Sequence, residues 1–224
     1  MSTATTTKTT MQAQGLLPLK ASPDPSSPSA TLQSLYNRAA QAFLYRDVVL
    51  ATSLVASGFA MLQPPATSAP DAFDSHRRKW DILRVTLEST VYTSPPDRAT
   101  LPATLRELLL LSPQLFLTTS HARSLALFTP SSRTPTSAFL PHQVLMTHVA
   151  SSIQVSYPAV GREMIEDWLS NRGRHDSVPP TRDAYEEVLG LYCLHVLPRL
   201  EEWAYAKEFL TYDVELSPNK RTVR

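Results

Sequence analysis

Cys193 and His195 are the pair in this 224-residue sequence that most resembles a nucleophile beside a general base. A thiol activated by an imidazole attacks carbonyl groups, but the two side chains must lie within hydrogen-bond distance of each other. Both residues fall in a predicted helix, where positions two apart point about 200° away from each other. The spacing therefore predicts a buried thiol beside an unrelated histidine. Because Cys193 is the only cysteine, it excludes an internal disulfide and is typical of a reducing compartment.

The histidines are spaced poorly for a metal site. His142 and His148 are six residues apart, whereas a helix presents two metal ligands on one face at a spacing of about four. His76, His121 and His175 are isolated in the sequence, and cysteine and histidine form no cluster. We therefore assign no catalytic, cofactor-binding or metal-binding residue and expect no cofactor.

Paired acidic residues and one basic run are the remaining charged candidates. Catalysis by two carboxylates requires both to face one cleft, but adjacent helical residues diverge by about 100°. We expect a solvated face at each of three pairs, Glu166-Asp167, Glu186-Glu187 and Glu201-Glu202. The run Arg77-Arg78-Lys79 is also interpreted as a solvated face, with an acidic protein partner as the alternative. Its lack of interleaved aromatics and the net charge of +1 argue against nucleic acid as a partner.

Glycine and proline usage excludes a further kind of site. Phosphate-binding loops need several glycines close together, and the 5 glycines of this chain form no such cluster. The 19 prolines instead lie between apolar segments, where they end helices. The most apolar run, Leu108 to Leu111, is four residues long. The sequence as given therefore contains no stretch of about 18 apolar residues that could span a membrane.

A helical hairpin between Leu32 and Leu62 is the clearest structural signal. Apolar or small residues follow a helical spacing in its first helix, at Leu32, Leu35, Tyr36, Ala39 and Phe43. Asp47 is placed to cap the second helix after a break at 45–47. The second helix has apolar residues on several faces, which predicts packing on more than one side. Such a hairpin needs further helices against it, and stacked hairpins usually offer a surface to a partner.

Further helices are predicted over 72–92, 102–111, 119–128, 141–155, 157–171, 181–197 and 200–213. Thr181 is expected to cap a helix, and Pro198 to separate the last two helices. Trp80 and Trp203 lie on apolar stripes, so we expect both in the core. No segment shows the period-two alternation of a strand. The predicted fold is all-α, in irregular stacked hairpins that are only loosely tetratricopeptide-like, because no 34-residue repeat is present.

Composition divides the chain into three parts. Residues 1–30 contain eleven Ser or Thr and four Pro, so we predict a disordered tail that cannot bury enough apolar area to order itself. Residues 31–215 form the predicted helical, partner-binding domain. Residues 216–224 form a polar tail. Residues 129–135 and 172–180 are predicted loops within the helical domain.

Three blocks of the helical domain carry a family resemblance. The first is Ala42-Phe43-Leu44-Tyr45-Arg46-Asp47, followed by 48–62. The second is Leu140-Pro141-His142-Gln143-Val144, followed by Glu163-Met164-Ile165-Glu166-Asp167-Trp168-Leu169. The third runs from Tyr185 through His195-Val196-Leu197-Pro198 to Ala206-Lys207-Glu208-Phe209-Leu210. In order and spacing, over about 31–92 and 139–215, the chain resembles the peroxisomal membrane receptors for the peroxin AAA-ATPase complex, the peroxin 26 type with its yeast counterpart peroxin 15. Residues 101–138 look like an insertion relative to the animal members.

The resemblance implies an all-α domain on the cytosolic face of the peroxisomal membrane, followed by a C-terminal transmembrane anchor. Such proteins hold the AAA-ATPase at the membrane, where it extracts ubiquitinated import receptors for reuse. The resemblance implies no catalytic residues, no nucleic acid and no small-molecule substrate, and the partner-binding residues stay unassigned. The sequence ends at Arg224 without an anchor, which leaves an anchored protein and a soluble relative as alternatives.

Two other functions stay open from the sequence. The first is a generic helical-repeat scaffold of the cytosol or mitochondrion that binds another client. The second is a small all-α enzyme with an unrecognised site, for which Cys193 and His148 would be the first residues to substitute. For any binding protein of this kind, exposed aromatic or arginine side chains on helices are the first candidates for the residues that dominate affinity.

Overall fold

The computed structural model describes residues 27–174, 181–213 and 215–216. Over these residues every regular element is a helix, which confirms the predicted all-α class. The elements are α1 (Pro28–Leu44), α2 (Val48–Met61), α3 (Asp74–Thr93), α4 (Ala103–Leu108), α5 (Pro113–Phe128), a 3₁₀ turn (Ser137–Phe139), α6 (His142–Gln154), α7 (Pro158–Asn171), α8 (Arg182–Leu191) and α9 (Trp203–Tyr212). After α8 the helix continues through a π-helical segment, Tyr192–Val196, and a last α-helical turn, Leu197–Arg199.

The predicted disordered tail falls outside the described residues except for its end. There α1 begins at Pro28, inside the predicted tail, because the Ser27 hydroxyl accepts a hydrogen bond from the Ala30 N–H and proline suits the first helical position. Most of the predicted polar tail and His175 also fall outside the described residues.

The predicted α1–α2 hairpin is confirmed, and its turn recurs twice more among the described residues. Asp47 caps α2, since its Oδ1 accepts a hydrogen bond from the Leu50 N–H at 3.0 Å. In the turn, Arg46 adopts a φ of 60°, and the Asp47 N–H donates to the Ala42 carbonyl at 2.9 Å. Ser156 and Glu201, each with a φ of 61°, make the same bond pattern before α7 and α9. These are Schellman turns, which usually place glycine at the left-handed position.

Two clusters of buried side chains meet along α3. One lies between α1, α2, α3 and α4 and is centred on Trp80, which is fully buried. The other, larger cluster joins α5 to α9. Leu83 and Leu87 of α3 belong to the first cluster, whereas Ile82 and Tyr92 pack against the second. Helix α3 therefore joins the N-terminal hairpin to the rest of the described residues.

Residues 101–138 contribute to the core of the domain. Helix α5 begins at Pro113 rather than near residue 119, because Ser112 caps it with a hydrogen bond from the Leu115 N–H. Phe116, Leu117 and Phe128 of α5 are buried in the larger cluster. The segment that resembles an insertion thus contributes part of the packing.

Several sequence predictions about single residues are wrong. Trp203 is 64% exposed, because it stands at the first position of α9, while Ala206 and Leu210 carry the contact with the core. Pro198 does not separate the last two helices, since the helix runs on to Arg199 and the break follows at 200–202. The predicted loop at 129–135 is exposed only in part, because Thr129 and Pro130 are buried.

The basic run 77–79 is not a solvated face throughout. Arg77 is 2% exposed, and its guanidinium binds both carboxylate oxygens of Asp71, at 2.7 and 3.0 Å. Arg78 pairs with Asp74 at 3.2 Å, and Lys79 is exposed. The partner of Arg77 comes from the linker before α3, which helical periodicity cannot reveal. The side chain therefore fastens that linker to the domain.

Candidate functional site

Cys193 and His195 do not form a catalytic pair. Cys193 is buried in the π-helical segment, and burial raises the pKa of its thiol to about 11. His195 is exposed on the opposite side of that segment from the core. The prediction of a buried thiol is confirmed. A thiol with a raised pKa carries little thiolate near neutral pH.

A buried polar cluster lies where α3, α5 and α6 meet. Ser124 Oγ and His148 Nε2 are 2.7 Å apart, and the rings of His148 and His121 meet edge to face at 5.3 Å. Arg84 donates to Ser124 Oγ at 3.1 Å and forms an ion pair with Asp81. No sequence pattern indicates this cluster, because Ser124 is 24 residues from His148 and 40 residues from Arg84 along the chain.

The Ser124–His148 pair has the geometry of a nucleophile beside its base but lies out of reach of a substrate. Neither residue has exposed surface. His148 Nδ1 has no hydrogen-bond partner among the described residues, so nothing orients the ring as an acidic third member would. Burial, with the nearby charges of His121, Arg84 and Arg123, holds the pKa of His148 well below its ordinary value. The arrangement supports a neutral imidazole that is part of the core.

Two ion pairs surround this cluster. The Asp81 carboxylate, fully buried, pairs with Arg84, and burial raises the pKa of that carboxyl. The Glu88 carboxylate binds two nitrogens of Arg123 in a fork. A bidentate pair of this kind is strong and directional, so it fixes α5 against α3.

The predicted solvated acidic pairs are partly engaged between helices. Glu166 accepts hydrogen bonds from the Tyr192 hydroxyl at 2.6 Å and from Arg162 Nε at 2.8 Å. Arg162 also donates to Glu202 at 2.5 Å. Arg162 thus links one glutamate from each of two acidic pairs. The other members of these pairs, Asp167 and Glu201, are exposed as predicted. The two carboxylates serve as acceptors for a guanidinium and a phenol.

Neither a metal centre nor a membrane span is visible in the part of the chain that the structure describes. Within 27–174, 181–213 and 215–216, His, Cys, Asp and Glu form no group of three that could hold a metal ion. Over the same residues, each helix is too short or too polar to cross a bilayer.

The outward side of α2 is an exposed surface without charge. We name it the α2 outer face and define it by Val49, Leu50, Ser53, Ala56, Ser57, Ala60 and Met61, all of which are exposed. Leu44 and Tyr45, at the adjoining turn, are 78% and 76% exposed. The opposite side of α2 is buried through Ala51, Leu54, Val55 and Gly58. The prediction that α2 packs on more than one side is not met within this chain, because only the inner side of α2 is buried.

A second group of exposed apolar side chains lies near α9. We name it the α9 patch and define it by Leu194, Trp203, Tyr205 and Tyr212. Trp203 and Tyr205 are two positions apart on the helix and point in nearly opposite directions, so the group is not one continuous face. It is interrupted by charge, since Lys207 and Glu208 are exposed between its aromatic members and the Arg162 guanidinium lies 5.3 Å from the Tyr205 ring centre.

Comparison of the chain with protein-family models, with curated proteins and with solved structures finds no match.

Proposed function

We propose that this chain is an adaptor that recruits the peroxisomal AAA-ATPase complex to the cytosolic face of the peroxisomal membrane, for the export and recycling of import receptors. The resemblance of three sequence blocks supports the identity of the partner. The α2 outer face, which belongs to the first of those blocks, supports the mode of binding. The observation that carries the proposal is a helix whose exposed side has no charged residue.

The chemistry of the α2 outer face suits a protein partner. Burying a fully exposed Val, Leu or Met side chain contributes about 1.5–3 kcal/mol. Val49, Leu50 and Met61 are 50%, 42% and 38% exposed, so each has roughly half of that free energy left to gain. With no charge to desolvate, little opposes that gain. The small residues Ser53, Ala56 and Ala60 between them allow a partner helix to approach closely.

The α9 patch is the less suitable of the two surfaces. One of its charged neighbours, Arg162, already pairs with Glu166 and Glu202 within the chain. A partner on this patch would have to desolvate these ion pairs, which costs free energy that the contact must recover. We therefore assign the recruiting surface to α2 and use the α9 patch as the control.

The test is retention of the purified peroxisomal AAA-ATPase complex by the immobilised chain of 224 residues, with and without ATP. The wild-type chain is expected to retain the complex. The double variant Val49→Asp/Leu50→Asp is expected to lose at least about tenfold in affinity, because it places two charges in the apolar contact. Leu50→Asp alone and Leu194→Asp form the matched pair, since each puts one negative charge at an exposed leucine, 42% and 56% exposed respectively.

Each outcome bears on a different part of the proposal. Failure of the folded wild-type chain to retain the complex, in both nucleotide conditions, would contradict the partner and favour a generic scaffold. Retention that is lost in the Leu194→Asp variant and kept in the Val49→Asp/Leu50→Asp variant would contradict the assigned face. Circular dichroism spectra of both variants establish that loss of binding is not loss of fold.

A further inference from the structure

The α2 outer face ends close to the point at which α1 begins. Helices α1 and α2 are joined by the tight turn at 45–47 and run antiparallel. Helix α1 therefore begins at the end of the hairpin where α2 finishes at Met61. The first turn of α1 is held there, because Ser29 Oγ lies 2.9 Å from His76 Nε2 of α3. Residues 1–26 thus join the domain beside one end of a helical face without charge.

The sequence before α1 contains one stretch with the same chemistry as this face. Residues 9–19 include no charged side chain, and Lys8 and Lys20 flank them. Within this stretch three leucines stand together in Leu16-Leu17-Pro18-Leu19. The α2 outer face likewise has no charge and exposes apolar side chains. Contact between two uncharged apolar surfaces removes both from water and leaves no charge to desolvate.

The spacing along the chain lets this leucine run reach any part of the face. Leu19 is eight positions before Ser27, which caps α1. An extended chain of that length spans at most about 26–29 Å, whereas the 14 residues of α2 are about 21 Å long. A segment tethered by so short a connection meets the face at an effective concentration of about 1 mM. An apolar contact with a Kd near 1 mM is then occupied about half of the time.

The other group of exposed apolar side chains suits the leucine run less well. Lys207 and Glu208 interrupt the α9 patch, and Trp203 and Tyr205 point in nearly opposite directions. An apolar segment that settled there would have to desolvate the charged neighbours. The α2 outer face is therefore the surface on which the run fits.

We propose that Leu16-Leu17-Pro18-Leu19 folds back onto the α2 outer face and covers it part of the time. The three leucines then lie against Val49, Leu50 and Met61, and a partner protein must displace them to bind. As control of the recruiting surface, this contact rests on the function proposed above. As a contact within the chain, it is measured without the AAA-ATPase complex.

The experiment uses the chain of 224 residues with a nitroxide spin label on a Gln14→Cys variant. Cys193 is buried, so the label is directed to the introduced thiol. We expect the label to broaden the methyl resonances of Val49, Leu50 and Met61 in nuclear magnetic resonance spectra.

A variant without the leucines separates a specific contact from mere proximity. Leu16→Ser/Leu17→Ser/Leu19→Ser, in the spin-labelled chain, should reduce the broadening at least about threefold, because it removes the apolar surface that the contact buries. Met11→Ser is the matched control, since it makes the same kind of change outside the leucine run and should leave the broadening as it was. Unchanged broadening in the triple serine variant would overturn the contact.

A mixed sample identifies which chain supplies the leucines. Spin-labelled chains are mixed with isotope-labelled chains that have no spin label, and we expect no broadening of the α2 methyl resonances. Broadening in the mixture would show that a second copy of the chain covers the face, and would overturn a contact within one chain.

Affinity for the AAA-ATPase complex tests the competition. The triple serine variant should bind the complex about twofold more tightly, because a competitor that occupies the face half of the time is removed. Equal affinity of the variant and the wild type would overturn the competition and count against α2 as the recruiting surface. Failure of both chains to bind the complex would contradict the proposed function, whereas the broadening measured without the complex would still decide the contact.

Discussion

The α1–α2 and α6–α7 hairpins are built alike but packed differently. Both close through a Schellman turn with a left-handed residue other than glycine, Arg46 in one and Ser156 in the other. Helix α6 packs on α3, α5 and α8 as well as on α7, so the second hairpin is covered on several sides. Helix α2 packs chiefly on α1 and α3 and leaves its outer face open.

The difference shows that the turn shapes a hairpin while its neighbours decide which faces stay exposed. A helix that is hydrophobic all round is normally buried, and α2, which has no charged residue and exposes only apolar residues and serine, approaches that composition. Nothing in the hairpin geometry requires the exposed side of α2 to be apolar, because α1 presents Asn37, Arg38 and Gln41 to solvent. The composition of α2 therefore fits a contact with another molecule.

The largest expected effect comes from removing the residue on which the α1–α2 hairpin packs. Trp80 is fully buried, with the Tyr36 ring edge-on at 5.6 Å. Trp80→Ala should lower the free energy of unfolding by about 3–5 kcal/mol, whereas Trp203→Ala, on the surface, should change it by less than about 0.5 kcal/mol. Urea unfolding measures both. A small loss for Trp80→Ala would contradict the central role of this side chain.

Acid should affect the two hairpins unequally. Burial lowers the pKa of His121 to about 4 and that of His148 well below its ordinary value, so the folded chain excludes protons that the unfolded chain binds. Excluding these protons lowers the stability of the folded chain at acid pH. The free energy of unfolding is unaffected above about pH 6.5 and decreases as the pH falls toward 4, by about 1.4 kcal/mol per pH unit for each excluded proton. Asp81, whose pKa is raised by burial, acts in the opposite direction.

Unfolding free energies measured between pH 7.5 and 4.5 test this expectation, with His148→Gln as the comparison. The variant should flatten the pH dependence. Burial also lowers the pKa of His76 of α3, which lies 2.9 Å from Ser29 of α1. Because α5 and α6 hold two such histidines and α1 and α2 meet one, hydrogen exchange at low pH should show lost protection in α5 and α6 first. Earlier loss in α1–α2 would show that another group controls the acid response.

The smallest expected effects concern a glycine in each hairpin. A Cβ at Gly58 would lie 2.7 Å from two atoms of the Trp80 ring, and a Cβ at Gly161 would lie 2.2 Å from Ser152 Oγ. The rigid ring cannot yield, so Gly58→Ala should cost about 1–2 kcal/mol despite the helix propensity of alanine.

At Gly161 the obstacle is a single hydroxyl group. Gly161→Ala should therefore cost less than Gly58→Ala, and adding Ser152→Ala should restore the wild-type value or exceed it. Thermal unfolding of the three variants and the wild type decides the order. Equal losses of stability in Gly58→Ala and Gly161→Ala would contradict the expectation that the Trp80 ring is the more rigid obstacle.

Much of the fold could be predicted from the sequence because helical periodicity and caps act locally. Asp47 and Thr181 cap the helices for which they were predicted. The predicted start of α5 near residue 119 is six residues late, although Ser112-Pro113 is a capping signal. The burial of Arg77 and the exposure of Trp203 were missed because each depends on what lies beside the helix.

The candidate surface could be predicted only in part. The sequence shows that α2 has no charge, but which apolar side stays open depends on how α1 and α3 pack against it. The Ser124–His148 pair joins residues from distant parts of the chain. Such a juxtaposition follows from tertiary packing, which one sequence without relatives does not reveal.

The three Schellman turns have a consequence for how the chain is made. Each turn is closed by hydrogen bonds that span six residues or fewer, so each hairpin can form as soon as its own residues have left the ribosome. The α1–α2 hairpin is synthesised before α3, and for that interval the part of α2 that α3 later covers is exposed together with its outer face. We expect molecular chaperones to bind nascent chains that end between α2 and α3, and to be released once Trp80 has been added and buried.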